Sequence, residues 1–544
     1  MSNAVNRIGI LGSLITSLGF FFLPLVELKP NRLASGIPFQ LLQLEGDLRY
    51  VMLFLLALAP LLAALRDRDE ARGWLLVGIG NALLFLTLYL GAYAGRDLID
   101  NASTLLGESV NLRNPRLLPS AAIALGVLGG YVVLFAGLRD LSVAGVGAVS
   151  KLVAAWSGVG LVVLLLINGY FDIYSVLVEF EARGGTLGQR TIEHLMFVVI
   201  ALLVGFALGV GLGLWAYRDA RTAPVILYTV GIIQTVPSLA LFGVLLIPLS
   251  RLGDQSAWRV FWVWVILLLL AAASIYGYQR FVDNLKGNLR QVVLVTTATL
   301  SALPLTLFVV VLVSFLFRVL FIVFTSEDML FANYRTLLVS VLGAALGLWV
   351  LDRFVKSKRW HTLSHYGSVG GFILFTGILL VAVIAGSQQF LQRVDLADGL
   401  TIRNLGVSGI GTAPAVIALT LYSLLPMVRN TYAGLNNVDA AIIDSGKGMG
   451  MTPSQRFFQI ELPIAIPVIM AGVRNAAVSL VGIGAVASVI GAGGLGDFIL
   501  QGIINTSIDQ ILLGAIPAIL LATLLDAGLR GLERVLTSPG IRHL

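Results

Sequence analysis

Cysteine is absent from all 544 residues. That excludes a disulfide framework, a thiolate-held Fe–S cluster and a cysteine zinc site. Charge is scarce as well: Asp, Glu, Lys and Arg make up 12% of the chain against 58% hydrophobic residues. A soluble globular chain of this length does not have that balance. Only four histidines occur. His361 and His365 stand i,i+4, but in a basic stretch with no acidic third ligand, and zinc needs three or four ligands; no metal site is expected. No G-x-S-x-G nucleophile motif and no P-loop lysine motif is present. Asp172 and the pair Glu179 and Glu181 fall in one loop, where carboxylates are expected to be solvated rather than catalytic. No stretch between apolar runs is long enough to fold as a separate soluble domain.

What is present is a series of long apolar runs. At about 17–25 residues per span, spans are expected near 8–26, 50–65, 74–94, 117–138, 152–170, 195–215, 224–247, 260–278, 300–324, 336–351, 369–386, 412–428, 464–490 and 511–529. The expected fold class is an all-α integral membrane protein of about 14 transmembrane helices. The first run is too long for a signal-peptide core and no small-residue cleavage site follows, so it reads as a retained span. Pro304 is expected to start or kink one span within 292–324. The net charge of +7 does not indicate nucleic acid, because the basic residues are spread over loops. With both termini cytoplasmic, the larger share of Lys and Arg lies on cytoplasmic segments, 353–359 (RFVKSKR) above all, as the positive-inside rule requires.

The chain is organised around residues 439–463, DAAIIDSGKGMGMTPSQRFFQIELP, a polar segment between two apolar runs. It reads as helix, turn, helix. Asn437 is expected to cap a first short helix with Asp439 in its first turn. Gly446, Gly448 and Gly450 are expected to break it. Thr452, Pro453 and Gln455 form a capping-box pattern for a second helix carrying Phe457, Phe458 and Ile460. A span is expected after Pro463. A short helical element outside the bilayer with apolar residues on show is suited to docking into a partner.

The spacing Asp444-Ser445-Gly446, three residues, Gly450, nine residues, Ile460, one residue, Leu462-Pro463 looks like the EAA loop of ABC-importer permeases. Asp stands for the usual Glu and Ser-Gly for Ala-Ala. The resemblance implies that this loop is cytoplasmic and couples the chain to an ATPase through Asp444, Ser445, Gly446, Gly450, Ile460, Leu462 and Pro463. Gly231 to Pro248, Gly409 to Leu435 and Gly472 to Phe498 resemble further core blocks of the glycine betaine/choline osmoprotectant type. In that family the first two blocks are nearly contiguous, whereas four spans intervene here. The expected domains are a five-helix N-terminal extension (1–185), a permease core in two parts (186–250 and 405–544), and a four-helix insertion (251–404) that leaves and returns on one face and packs outside the core. Gly491, Gly493 and Gly496 match G-x-G-x-x-G, but without a βαβ unit they read as the glycine-rich outer mouth of a span rather than a dinucleotide site.

Polar residues in core spans mark a candidate translocation path: Gln234, Thr235, Pro237, Ser238 and Asn475. Packing between helices through Ser and Thr is the bland account of the same residues. The groups are neutral, which suits a solute that must bind weakly and leave, and Pro237 is expected to free a carbonyl one turn earlier for the cavity. Arg318 is expected to snorkel toward the outer interface. Arg474 is expected to line a cytoplasmic gate with Asn475 or to pair with a neighbouring subunit. The resemblance implies an ABC ATPase subunit dimer that binds the ATP, a separate solute-binding protein and a second permease subunit. It implies membrane lipid around the chain, no cofactor on the chain itself, and the bacterial or archaeal cytoplasmic membrane. Importers of an amino acid such as methionine share the loop; an integral membrane enzyme would need a cluster of acids, His or Lys, and an ion-coupled carrier would need paired intramembrane carboxylates.

Overall fold

The computed structural model describes residues 5–29, 36–43, 47–64, 70–100, 116–219, 222–281, 288–354, 358–393 and 399–537. Arg113 lies outside them, and so do the side chains of His361 and His365. Its contacts divide the chain into two compact units, Met1–Gly184 with Ile504–Leu513, and Gly185–Ile503 with Gly514–Leu544.

The first unit holds α1 (Arg7–Phe22), α2 (Leu48–Ala64), α3 (Glu70–Asp100), α4 (Ala121–Val143) and α5 (Ala148–Ile167). It also holds a three-stranded antiparallel sheet in which β1 (Val26–Lys29) lies between β2 (Ile37–Phe39) and β3 (Arg116–Pro119). The helix α1 stops early because Leu23 turns extended ahead of Pro24. Small residues let the helices approach closely. A Cβ on Gly129 of α4 would fall 2.0 Å from Thr16 Oγ1 of α1, and one on Gly80 of α3 would fall 2.5 Å from the Leu134 nitrogen of α4. Arg72 of α3 donates to Asp140 of α4 at 2.8 Å, and Asn6 donates to the same carboxylate at 3.0 Å. A buried charge inside a membrane bundle is tolerated when paired in this way.

Glu179 departs from the expectation of a solvated carboxylate. It is buried, 2.7 Å from Arg183, and receives a bond from Gln510 at 3.4 Å. Ser175, next to it on the first turn of α6 (Ser175–Arg218), donates to Asp509 at 2.5 Å.

The second unit contains most of α6 and then α7 (Ala223–Thr235), α8 (Ser238–Gly253), α9 (Ala257–Phe281), α10 (Asn288–Thr325), α11 (Met329–Phe354), α12 (Lys358–Arg393) and α13 (Thr412–Asn436). The segments α14 (Ala440–Gly448), α15 (Pro453–Arg456), α16 (Leu462–Val486), α17 (Gly496–Ile504) and α18 (Ile508–Leu536) complete it, apart from the 504–513 stretch. Gly205, Gly209 and Gly213, spaced by four on α6, face Ser423, Met427 and Thr431 of α13; at Gly205 a Cβ would meet Ser423 Oγ at 1.8 Å. The core cluster includes the fully buried Phe197, Phe242, Leu419 and Leu480.

By length and composition, eleven described helices can cross a membrane, and a twelfth span results if the bent pair α7–α8 is one span. The expected count of 14 is not reached by this measure, since α1 and α2 are apolar but have 16 and 17 residues. Residues 288–325 form one helix that contains Pro304.

Residues 251–404 hold α9 to α12. Their two ends lie side by side: Ala257 N donates to Leu400 O at 2.7 Å, Ile402 N to Gln255 O at 3.0 Å and Arg403 N to Gly253 O at 2.8 Å. The segment is not wholly outside the core, however. Helix α10 packs against α13, and its Val313 and Phe317 belong to the core cluster. Arg318, on the same helix, is exposed on one side and lies against Gly406, where a Cβ would stand 3.0 Å from its Nε.

Candidate coupling loop and membrane cavity

The loop begins at Asp439, whose carboxylate accepts from Ala441 N at 2.9 Å and caps α14. Asn437, the expected cap, instead ends α13. The physical reason is local: Asp439 has the extended backbone that an N-cap needs (φ −58°, ψ 126°), while Asn437 is still near-helical (φ −90°, ψ 4°). Gly446 and Gly448 lie within α14, so Gly450 alone makes the break, at φ +78°. Gly446 has a different use. A Cβ there would stand 2.9 Å from Ile460 Cδ1, so its bareness lets Ile460 fold back onto α14.

Thr452 and Gln455 form the expected capping box: Thr452 N donates to Gln455 Oε1 at 2.9 Å, and Gln455 N to Thr452 Oγ1 at 3.3 Å. No new helix starts at Pro463. A π-helical turn, Phe457–Glu461, joins α15 directly to α16, with Leu462 N bonded to Phe457 O. Pro463 has no N–H to offer Gln459, and the wider turn absorbs the missing bond.

The turn also creates an ion pair. Arg456 Nε donates to Glu461 Oε1 at 2.8 Å. Residues five apart on an α-helix point about 140° away from each other; the π-turn reduces that separation. Tyr217, near the end of α6, donates to the other Glu461 oxygen at 3.0 Å. Glu461 is buried. It occupies the unspecified position between Ile460 and Leu462 and was missed in the sequence, although a lone acid between a basic turn and an apolar run could have drawn notice. Phe457 is half-buried beneath Arg218, whose Cζ is 5.7 Å from the ring centroid. Phe458 (65% exposed) and Met449 (73%) point outward. Asp444 and Ser445 are exposed; Lys447 lies 2.8 Å from Asp444 and holds its carboxyl below the ordinary value. Leu462 and Pro463 are half-buried at the root of α16.

The second feature lies where α7 and α8 meet. They are bent by 99°, so the expected single span is broken. Pro237 forces Val236 into an extended conformation (φ −70°, ψ 125°). The carbonyl one turn before the proline, Ile233 O, does not open to a cavity: Val236 N bonds it at 3.3 Å. The Val236 carbonyl accepts from the Tyr422 hydroxyl of α13.

A shallow cavity of about 880 Å³, broadly open to the surface, lies between α7 and α13. Gln234 and Thr235 line it, as do Tyr228 and Arg429. Thr235 Oγ1 donates to Ile232 O at 2.7 Å. Pro237 and Ser238 lie beyond the bend, and Asn475 is exposed on α16; none of the three lines this cavity. Arg429 brings a positive charge to a lining expected to be neutral. The apolar run ends at residue 428, which set Arg429 outside the span, but α13 continues to Asn436.

Residues 281–538 match the family described as binding-protein-dependent transport system inner membrane component. Residues 6–177 match the N-terminal domain of the ABC transporter permease YehY. The choline transport system permease protein OpuBB of Bacillus subtilis (strain 168) is 39% identical over 175 residues, 31% of this chain and 80% of that protein. The carnitine transport permease protein OpuCD of Listeria monocytogenes serotype 1/2a (strain 10403S) is 50% identical over 201 residues, 35% of this chain and 87% of that protein. This chain belongs to the ABC-importer permeases. It is thus a transport subunit of the inner membrane and works with an ATPase and a solute-binding protein.

Two further polar clusters of the permease join groups whose partners the sequence did not indicate. Gly491, Gly493 and Gly494 all have positive φ, and the loop they make closes on α6: Gly494 N donates to Glu193 Oε2 at 2.9 Å. Arg190 bridges Glu193 at 2.7 Å and Asp497 at 3.0 Å. The glycines therefore serve close backbone approach to a carboxylate, not phosphate binding. Arg474 pairs within its own chain, with Asp526 at 3.2 Å and Glu533 at 2.8 Å. Those acids are seven apart on α18 and share a face, so Arg474 has two carboxylate partners within its own chain.

Proposed function

We propose that this permease carries a small compatible solute of the betaine or choline class, driven by ATP hydrolysis on a partner. The similar proteins named above carry choline and carnitine, and a B. subtilis permease 47% identical over 202 residues, 35% of this chain and 86% of that protein, is named for glycine betaine, carnitine and choline. Two permease subunits, the same or related, would each offer a 439–463 loop to an ATPase dimer. The loop and both termini would be cytoplasmic. The single observation that carries the mechanism is the rigid build of the loop. Helical structure runs unbroken from Pro453 to Val486, and Glu461 ties it to Tyr217 of α6. A push on the exposed Phe458 and Met449 would reach two core helices as a rigid-body motion.

Residues 186–250 and 405–544 would form the core, with 1–185 and 251–404 as additions. ATP would be bound by the partner, and this chain would need no cofactor. Gln234 and Thr235 would belong to the route, with Ser238 and Asn475 at other depths of it. The test is uptake of radiolabelled glycine betaine, choline and methionine by vesicles holding the complete complex. Betaine or choline uptake that requires ATP is expected; methionine uptake without either would overturn the substrate class.

A further inference from the structure

The cavity between α7 and α13 has a volume of about 880 Å³, within the range of small-molecule sites. Three of its groups stand out chemically. Arg429 makes no ion pair or hydrogen bond with any described residue, although a guanidinium on a membrane helix is costly unless it faces a partner or water. It lies one turn from Leu425 on the same face of α13, and both line the cavity. Tyr228, 73% exposed, also lines it, and its ring has no stacking partner among the described residues. Gln234 offers an amide with no hydrogen-bond partner among them. One wall therefore carries a free cation and the other a free aromatic face.

Resting on the proposed betaine-class reading, we infer that Arg429 receives the carboxylate of a zwitterionic solute while the Tyr228 face receives its quaternary ammonium, so that this cavity favours carboxylate-bearing betaines over choline. A guanidinium matches a carboxylate as a two-pronged donor. A quaternary ammonium has no N–H to donate and is held by ring faces instead. The two ends of a betaine thus call for different groups, and the cavity provides one of each. The open setting of Arg429 keeps the pairing weak, because exposed ion pairs are screened by water. That reconciles a fixed charge with a solute that must leave.

The test is saturation-transfer NMR on the purified full-length chain in detergent micelles, with glycine betaine and choline as separate probes. This needs neither the ATPase nor the binding protein. In Arg429→Gln, glycine betaine affinity is expected to fall about two- to fivefold, the scale of an exposed ion pair, with choline unchanged. Arg429→Lys should fall between, keeping charge without the fork. Tyr228→Leu should weaken both probes. Equal loss of both probes in Arg429→Gln would mean a structural role and overturn the inference. Unchanged betaine affinity would also overturn it, leaving Arg429 to another anion such as a lipid phosphate. Should the wild type show no betaine transfer while vesicles still import betaine, this site is wrong and the proposed function stands. Should selective binding appear without uptake, the inference holds and the transport reading fails.

Discussion

Arg456 and Glu461 are five residues apart, yet the guanidinium lies 2.8 Å from the carboxylate because a π-turn separates them. The pair sits at the root of the coupling loop, and Tyr217 fixes the same carboxylate from α6. Glu461→Ala should leave Arg456 and Tyr217 without their acceptor and cost about 2 kcal/mol. Uptake per ATP hydrolysed should fall severalfold while ATPase binding persists. Glu461→Gln, which can still accept from Tyr217, should lose less. Wild-type coupling in Glu461→Ala would remove the carboxylate from the mechanism.

The cavity makes a second prediction. Gln234→Leu should lower the transport rate several-fold and leave capture by the solute-binding protein unchanged, since the amide is a lining group and not a packing group. Rate measurements at saturating solute would decide this, and an unaltered rate would take Gln234 out of the route.

Much of the loop was legible in the sequence because its determinants are local. The capping box needs only Thr452 and Gln455, and a glycine pattern points to Gly450. The rest depends on distant partners. Glu461 has its meaning from Tyr217, 244 residues away. Pro237 in a sequence is compatible with a kink or a break, and the 99° bend accompanies a Tyr422 bond from another helix. Arg429 was hidden by reading span ends from hydropathy, which stops where the apolar run stops even though the helix continues. Arg474 found its acids on a helix 52 residues later.

Orientation can be checked by labelling, since the native chain has no cysteine. Single cysteines at Lys447 and Gln388, both exposed, should respond oppositely to an impermeant thiol reagent in intact cells. Gln388→Cys should label and Lys447→Cys should not. Labelling at Lys447→Cys would place the loop on the wrong side for an ATPase.

The ends of the 251–404 segment already touch, so joining Gly253 to Arg403 spans a hydrogen-bonded gap. The shortened chain should insert, bind the ATPase and retain part of its transport. It should also be less stable, because Phe317 leaves the core cluster; Phe317→Ala alone should cost about 3 kcal/mol. Full loss of transport by a well-inserted, ATPase-bound shortened chain would make α10 part of the route.

Gly450 offers the most direct test of coupling. Its φ of +78° is one that most side chains adopt only with strain, while a Cβ there would meet nothing within 4 Å. The damage in a variant is therefore confined to the turn, at about 1–2 kcal/mol, and to the docking surface. The measurement is ATP-dependent uptake of radiolabelled glycine betaine by vesicles containing the complete complex, comparing wild type, Gly450→Asn and Gly450→Asp. Asn tolerates the left-handed backbone and should keep most uptake. Gly450→Asp should insert at the normal level and import nothing. Normal ATP-driven import by Gly450→Asp would contradict the assignment of 439–463 as the coupling element.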